Sequence, residues 1–223
     1  GDRLLPTDNR PSVFWITHPT NVVRNNVAAG AEWGVGFWYA LPQKPMGLSS
    51  SQTTIFPLRS ALGEFSGNLA HSSGETGLDV DHGPDANGNQ TGNAHHIARA
   101  NPADEKSAVL VTTFANFSAY KNRSRGVWLR GTEHRLTGAI LADSAVGATF
   151  ASQESYIEDS VMVGETANKG NPQSWEKVGP NGHSLPFPWE DANDPTHGGY
   201  KFPIRGFEYY DGLVGARTVS FFN

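Results

Sequence analysis

The chain repeats itself over residues 119–164, which read AYKNRSRGVWLRGTEHRLTGAILADSAVGATFASQESYIEDSVMVG. Asn122, Asp143 and Gly164 follow one another at a constant step of 21 residues, and Gly126 and Gly147 keep the same step. Apolar residues recur in phase with them, in the series Ala119, Ile140 and Val161, then Val127 and Ala148, then Leu129 and Phe150. A period of roughly 20 to 25 residues built from short β-type segments is typical of solenoids, in which each repeat forms one coil. We therefore predict a parallel β-helix.

Two earlier segments fit the same repeat if insertions are allowed, and the aligned strands are residues 37–40, 78–81, 127–130 and 148–151. Because alternate strand residues face opposite sides, the first and third positions are expected to point into the solenoid. These residues are Phe37, Leu78, Val127 and Ala148, then Tyr39, Val80, Leu129 and Phe150. The second and fourth positions are expected to face solvent: Trp38, Asp79, Trp128 and Thr149, then Ala40, Asp81, Arg130 and Ala151.

An Asn or Asp recurs at the turns, at positions 26, 68, 122 and 143. These side chains tolerate left-handed backbone and bond to nearby main chain, so we expect them to form one column that caps backbone groups. This column is interpreted as structural.

The composition restricts the classes of fold and function that the chain can have. The chain has 223 residues, 25 Gly and 14 Pro, and no sustained helical periodicity, so an all-β domain spanning residues 1–223 is expected. A formal net charge of −5 argues against a nucleic-acid partner or a general anionic-membrane binder. The absence of cysteine excludes disulfides and thiol chemistry. No apolar run approaches the ~18 residues of a membrane span, so none is expected.

Two loop insertions interrupt the coils, a polar one at about residues 82–105 and a long one at about 166–203. His95 and His96, in the first, are either ligands or surface residues, and the second reading is favoured. The last coil, residues 203–222, stops on an apolar strand. Because terminal repeats of a solenoid need a cap, we expect further domains or another chain to cover the ends, and the chain to be a segment of a larger protein.

Motifs along nearly the whole chain resemble the β-helical region of the cell-migration-inducing hyaluronidase and cell surface hyaluronidase family. They are Phe14-Trp15-Ile16, Ala28-Ala29-Gly30, Gly36-Phe37-Trp38, Ala70-His71-Ser72, Tyr120-Lys121-Asn122, Trp128-Leu129-Arg130-Gly131, Val163-Gly164-Glu165, Pro203-Ile204-Arg205-Gly206-Phe207 and Tyr210-Asp211-Gly212. The resemblance implies a right-handed parallel β-helix. It also implies an extracellular or cell-surface protein that handles hyaluronan.

A sugar polymer is bound by aromatic side chains under its rings and by cations at its carboxylates. Trp38 and Trp128 supply aromatics in one column, and the basic residues Lys121, Arg123, Arg125 and Arg130 cluster nearby. Arginine forks match carboxylates, so this cluster suits a hyaluronan-like polyanion that contains uronic acid. Alternatively, the tryptophans cover neighbouring loops and the arginines pair with acids on adjacent coils.

The best candidates for acid and base chemistry are Asp79 and Asp81, which share one face of a strand at roughly 6.5 to 7 Å by strand rise. Glycoside hydrolysis generally uses two carboxyl groups at such separations. His71 and His82 flank the pair, and we take Asp79, Asp81 and His71 as candidate catalytic residues. Paired carboxylates would also suit Ca²⁺. A lyase would instead need a base such as Lys121, Arg125 or a histidine.

Three classes of function remain open: an enzyme that cleaves a uronate-containing polysaccharide as hydrolase or lyase, a non-catalytic glycan-binding or adhesion module, and a structural β-helix segment of a surface protein. The resemblance favours the first.

Overall fold

The computed structural model describes residues 10–31, 34–168 and 204–222, and these are nearly all-β, with parallel strands in stacked sheets. The long loop predicted at about 166–203 lies almost wholly outside them. The described strands are β1 (Ser12–Ile16), β2 (Val22–Arg24), β3 (Val27–Ala29), β4 (Val35–Tyr39), β5 (Glu64–Ser66), β6 (Leu69–His71), β7 (Thr76–Val80), β8 (Thr112–Ala115), β9 (Ser118–Tyr120), β10 (Arg125–Thr132), β11 (His134–Thr137), β12 (Ile140–Ala142), β13 (Val146–Gln153), β14 (Ser155–Val163), β15 (Arg205–Asp211) and β16 (Val214–Phe222).

The strands form two sheets, and the chain visits them in turn. The first sheet has the order β1-β4-β7-β10-β13-β15. The second runs β2-β5-β8-β11-β14-β12-β9-β6-β3, and β16 pairs with β14. One coil therefore consists of a strand of the first sheet followed by the one or two strands of the second sheet that come next in the chain. This arrangement of parallel, stacked strands is consistent with a β-helix.

The predicted strand alignment is confirmed residue by residue. Phe37 pairs with Leu78, Leu78 with Val127, and Val127 with Ala148. Both predicted inward columns belong to the main hydrophobic core, and each of the eight residues in these columns is at most 1% exposed. Phe65 and Phe114 from the second sheet, and Phe117 between β8 and β9, add aromatic rings to this core.

A column of glycines explains one part of the repeat. A Cβ on Gly126 would lie 2.5 Å from the carbonyl oxygen of Gly147, and one on Gly147 would lie 2.5 Å from that of Gly206. Gly36 and Gly77 meet the next coil in the same way. Because the coils approach so closely here, only glycine fits.

Two details of the predicted repeat are wrong. Ala119 pairs with Leu141, which is 1% exposed, and not with the predicted Ile140, which is 56% exposed. The step from Ala119 to its partner is therefore 22 residues. The turn that follows Leu141 is one residue shorter than the turn that follows Ala119, so the step returns to 21 in the next strands. The predicted turn column is two columns. Asn68 lies between β5 and β6, and its Nδ2 donates to the carbonyl oxygen of Val23. Asn122 lies between β9 and β10, and its Nδ2 donates to the carbonyl oxygen of Ala70.

Within the described ranges, no helix is long and apolar enough to cross a membrane.

Candidate functional site

The second and fourth positions of the first-sheet strands do not face solvent, so that prediction is wrong. They point away from the core, yet each of the eight is buried: Trp38, Asp79, Asp81 and Ala151 at 1%, Ala40 and Thr149 at 0%, Arg130 at 7% and Trp128 at 8%. Arg10 donates to the Asp79 carboxylate, and the amide of Ala94 in the polar insertion donates to that of Asp81. We call the group Arg10, Asp79, Asp81, His82, Trp128 and Arg130 the charged wall.

Asp81 ties three coils to the insertion. Its Oδ2 accepts a hydrogen bond from Arg130 Nε at 2.6 Å and another from Trp128 Nε1 at 3.0 Å. Its Oδ1 accepts from the amide of Ala94, in the insertion, at 2.8 Å. Its main-chain carbonyl accepts from Trp38 Nε1 at 2.9 Å. These donors satisfy the acceptor positions of the buried carboxylate and fix its place between the coils and the insertion.

Asp79 is held by Arg10. The Arg10 guanidinium donates to Asp79 Oδ2 at 2.6 Å and to Glu75 Oε2 at 2.6 Å, and lies 5.0 Å from the ring centre of Trp38. Burial alone would raise the pKa of Asp79, but Arg10 and His82 outweigh it and the pKa is lowered. The stabilisation from this ionised group is therefore present above the ordinary pKa of aspartate and is lost as the pH falls through the lowered value.

His82 bridges the two carboxylates. Its Nδ1 lies 3.3 Å from Asp79 Oδ2 and 3.9 Å from Asp81 Oδ2, so the two oxygens are within roughly 7 Å of one another. Burial by itself would lower the pKa of His82, but the hydrogen bond to Asp79 and the charges of Asp79 and Asp81 raise it. The side chain is 29% exposed, whereas both carboxylates are almost fully covered. The raised pKa favours the protonated ring, and part of the His82 side chain is open to solvent while its Nδ1 is buried beside the carboxylates.

Sequence reasoning noticed His82 only as a neighbour of the aspartates. It has a left-handed backbone, with φ of 55°, two residues beyond the end of β7. This conformation turns the chain at the strand end, and the ring lies beside both Asp79 and Asp81. The available signal was its position one residue beyond the second aspartate.

Two predicted binding arginines meet around Trp128. The guanidinium carbon of Arg125 lies 4.9 Å from the indole centre, and that of Arg130 lies 5.3 Å away. Arg125 Nε donates to Thr149 Oγ1 at 2.9 Å, and that hydroxyl donates to Glu208 Oε2 at 2.7 Å. These contacts make Arg125 and Arg130 parts of a packed network.

The other predicted site residues lie elsewhere. His71 is on β6 in the second sheet, where its ring stacks on Tyr120 at 4.9 Å and its Nδ1 is 3.1 Å from Ser72 Oγ. Lys121 and Arg123 lie in the turn between β9 and β10, both partly exposed. The structure thus joins Asp79 and Asp81 with His82 and does not bring His71 to them.

The charged wall does not fit Ca²⁺. The carboxylates that would bind it already accept from guanidinium, indole and amide donors, and Arg10 and Arg130 would repel a cation. No cluster of three or more histidine or acidic side chains suited to a metal occurs in the part of the chain that the structure describes. We therefore assign no step to a metal.

A cavity of about 410 Å³ lies beside the wall, between the polar insertion and the segment that follows β4. Ala94, whose amide holds Asp81, is among its lining residues, with Leu41, Leu58, Arg59, Asn93 and Arg99. The lining also includes the carboxylates of Asp85 and Glu105, so it combines apolar, amide and charged groups. The insertion therefore shapes both the wall and a cleft next to it.

The fold and the wall define a class: a protein of stacked parallel β-strands, consistent with a β-helix, with a buried ion-pair network and the partly exposed His82 on an outer face. Comparison with known proteins agrees with the fold. The family model described as CEMIP beta-helix matches residues 3–78.

Curated relatives extend the match. Human cell surface hyaluronidase CEMIP2 is 32% identical over 232 residues, which cover 94% of this chain and 16% of that protein. Mouse cell migration-inducing and hyaluronan-binding protein is 30% identical over 237 residues, covering 96% and 16%. Mouse fibrocystin-L is 44% identical over 75 residues, covering 34% and 2%. The resemblance to the β-helical region of the hyaluronidase family is confirmed, and the chain spans 16% of the length of the first two relatives.

Proposed function

We propose that the chain is the polysaccharide-handling part of an extracellular or cell-surface protein that cleaves glycosidic bonds in a uronate-containing polymer. In this proposal the sheets close into a right-handed solenoid, and further domains or another chain cover its ends. The observation that carries it is the position of His82, which is partly exposed and lies between two buried carboxylates. The names of the relatives support a hyaluronan-like substrate.

The proposed chemistry begins at His82. Asp79 is ionised, so it cannot donate a proton near neutral pH, whereas the raised pKa of His82 keeps a proton at its ring. Nδ1 is buried beside the carboxylates, so in this proposal the protonated ring donates the proton of its other nitrogen, Nε2, to the glycosidic oxygen as the bond from that oxygen to the anomeric carbon breaks, and Nδ1 keeps its own proton. Asp79 and Asp81 act through His82, because their burial keeps them from the sugar.

Water completes the hydrolysis. Glu75 shares Arg10 with Asp79, and its side chain is 33% exposed. In the proposal its carboxylate takes the proton of the attacking water, and the hydroxide adds to the anomeric carbon. Tyr210, 58% exposed and 5.3 Å from Trp128, provides an aromatic surface for a sugar ring.

A second candidate is a glycan-binding module without catalysis. The observation that favours it is the burial of Asp79 and Asp81, each 1% exposed, because buried carboxylates already neutralised by arginines can be purely structural. Binding would then use the exposed aromatic and basic groups alone.

His82→Gln distinguishes these candidates. We expect it to reduce cleavage of hyaluronan by about 100-fold or more, because a positioned general acid contributes on that order. Wild-type activity should fall as the pH rises through the raised pKa of His82. The assay counts new reducing ends and measures the absorbance of unsaturated products, which only a lyase forms.

The same change at His71 separates the two histidines. Loss of cleavage in His71→Gln but not in His82→Gln would contradict the proposal. Wild-type binding of hyaluronan with no new ends, under all pH conditions tested, would favour the module. Thermal unfolding of each variant shows whether a loss reflects misfolding.

A further inference from the structure

Two buried histidines fasten the polar insertion to the coils. His96 is 1% exposed and His134 is 0% exposed, so the favoured reading of His96 as a surface residue is wrong. His96 forms a parallel bridge with Gly131, through hydrogen bonds from its amide to the carbonyl of Arg130 and from the amide of Thr132 to its carbonyl. His134 is on β11. The contact therefore links the insertion to the end of β10 and the start of β11.

The hydrogen bonds fix the proton positions. His96 Nε2 lies 2.9 Å from the carbonyl oxygen of Ser60, which can only accept, so this nitrogen carries a proton. In the neutral ring Nδ1 is then an acceptor, and it lies 3.1 Å from His134 Nε2, which must donate. His134 Nδ1 is left as a buried acceptor without a partner among the described residues. Both rings are consistent with the neutral state.

A further proton has no favourable place. On His96 Nδ1 it would face the N–H of His134, and on His134 Nδ1 it would find no acceptor. Burial lowers the pKa of His96 to about 4 and that of His134 well below its ordinary value. The nearby charges, Arg135 and His95, also oppose a cation at His134, and Glu133 already pairs with Arg135.

We call the contact between His96 and His134 the histidine clasp. Gly131 shows how closely this clasp is packed. A Cβ at this position would lie 2.0 Å from the carbonyl oxygen of His96 and 2.6 Å from Cε1 of His134. The residue column of His134 elsewhere holds small hydroxyl side chains, since Thr112 pairs with it on β8 and the Ser155 hydroxyl accepts from its amide. The imidazole is thus specific to the coil that receives the insertion.

We propose that His96 and His134 are positioning residues that hold the insertion in place while neutral and release it on protonation. The insertion supplies the Ala94 amide to Asp81, and it begins at His82. Acid opening would therefore loosen the charged wall itself. The link to cleavage depends on the proposed function, whereas the opening is measured without substrate.

The direction in which pH changes the stability of the closed insertion follows from proton linkage. Each histidine binds a proton more readily when open, so closure is fully stable above the ordinary histidine pKa of about 6.5 and weakens as the pH falls towards the lowered values. Per pH unit, the opening constant rises about tenfold if one ring takes up a proton on opening and about a hundredfold if both do.

Hydrogen exchange of the full chain between pH 7 and pH 5, corrected for intrinsic rates, tests this. The amides of Ala94 and His96 should lose protection with that dependence, while Val127 and Leu129 in β10 stay protected. The double variant His96→Gln/His134→Thr, which places at 134 the residue type of the neighbouring coil, should lose the pH dependence. Should it fail to fold, His134→Thr alone should show a weaker dependence than wild type.

Three outcomes would overturn the clasp: protection that does not change with pH, an unchanged dependence in the variants, or loss of protection in β10 at the same pH as in the insertion. If the two histidines had a purely structural role, the variants would lose protection by the same factor at every pH. Failure of cleavage with normal acid opening would instead count against the proposed function.

Discussion

Leu129→Asp is expected to leave no cooperatively folded protein. Leu129 is 0% exposed and pairs with Val80 on one side and Phe150 on the other, so its side chain lies in the middle of an inward column. A carboxylate there has no partner in the core, and its burial costs far more than the lost apolar contacts. We expect a loss above about 4 kcal/mol, a large part of the stability of a typical domain. Circular dichroism during heating measures it.

Ile140→Asp is the matched control. Ile140 is on β12 and 56% exposed, so the same chemical change should cost about 1 kcal/mol, mainly through β-propensity. Equal damage at both positions, or a folded Leu129→Asp variant, would show that the inward columns are misassigned.

Asp81→Ala is expected to be the most damaging change on the outer face. Removing the carboxylate leaves Arg130, 7% exposed, without its 2.6 Å ion-pair partner and takes an acceptor from Trp128 and from Ala94. Breaking one side of a buried ion pair costs about 3–5 kcal/mol, because the remaining charge is uncompensated. The melting temperature should fall by roughly 10 °C or more for a chain of this size.

Glu105→Ala provides the comparison. Glu105 also pairs with an arginine, Arg59, but its side chain is 71% exposed. Solvent screening should keep the cost within about 1 kcal/mol. If Asp81→Ala were equally mild, the network on the outer face would be loosely packed, and a solvent-facing wall would have to be reconsidered.

The repeat was sufficient to predict four strands of the first sheet, β4, β7, β10 and β13, and their register. Phe37, Leu78, Val127 and Ala148 repeat because each pairs with the next in a parallel sheet, and the extra residues of the first two intervals lie between strands, where they leave the pairing unchanged. The off-by-one error at Ile140 arose because Leu141 is also apolar, and a turn can gain or lose one residue without leaving a clear signal.

The outer face was less predictable. Strand alternation tells which residues point away from the core, but not whether something covers them. Arg10 reaches Asp79 from 69 positions away in the chain, and Ala94 reaches Asp81 from within an insertion that shows no repeat. Similarly, His71 and His82 are both near the aspartates in sequence, and only the turn after β7 shows which one meets them.

An NMR pH titration of the His82 ring tests the central claim most directly. If His82 lies beside the carboxylates of Asp79 and Asp81, its pKa should be above the ordinary value of about 6.5, and Asp79→Asn should lower it. A His82 pKa at or below 6.5 in the wild-type protein, unchanged by Asp79→Asn, would contradict the account.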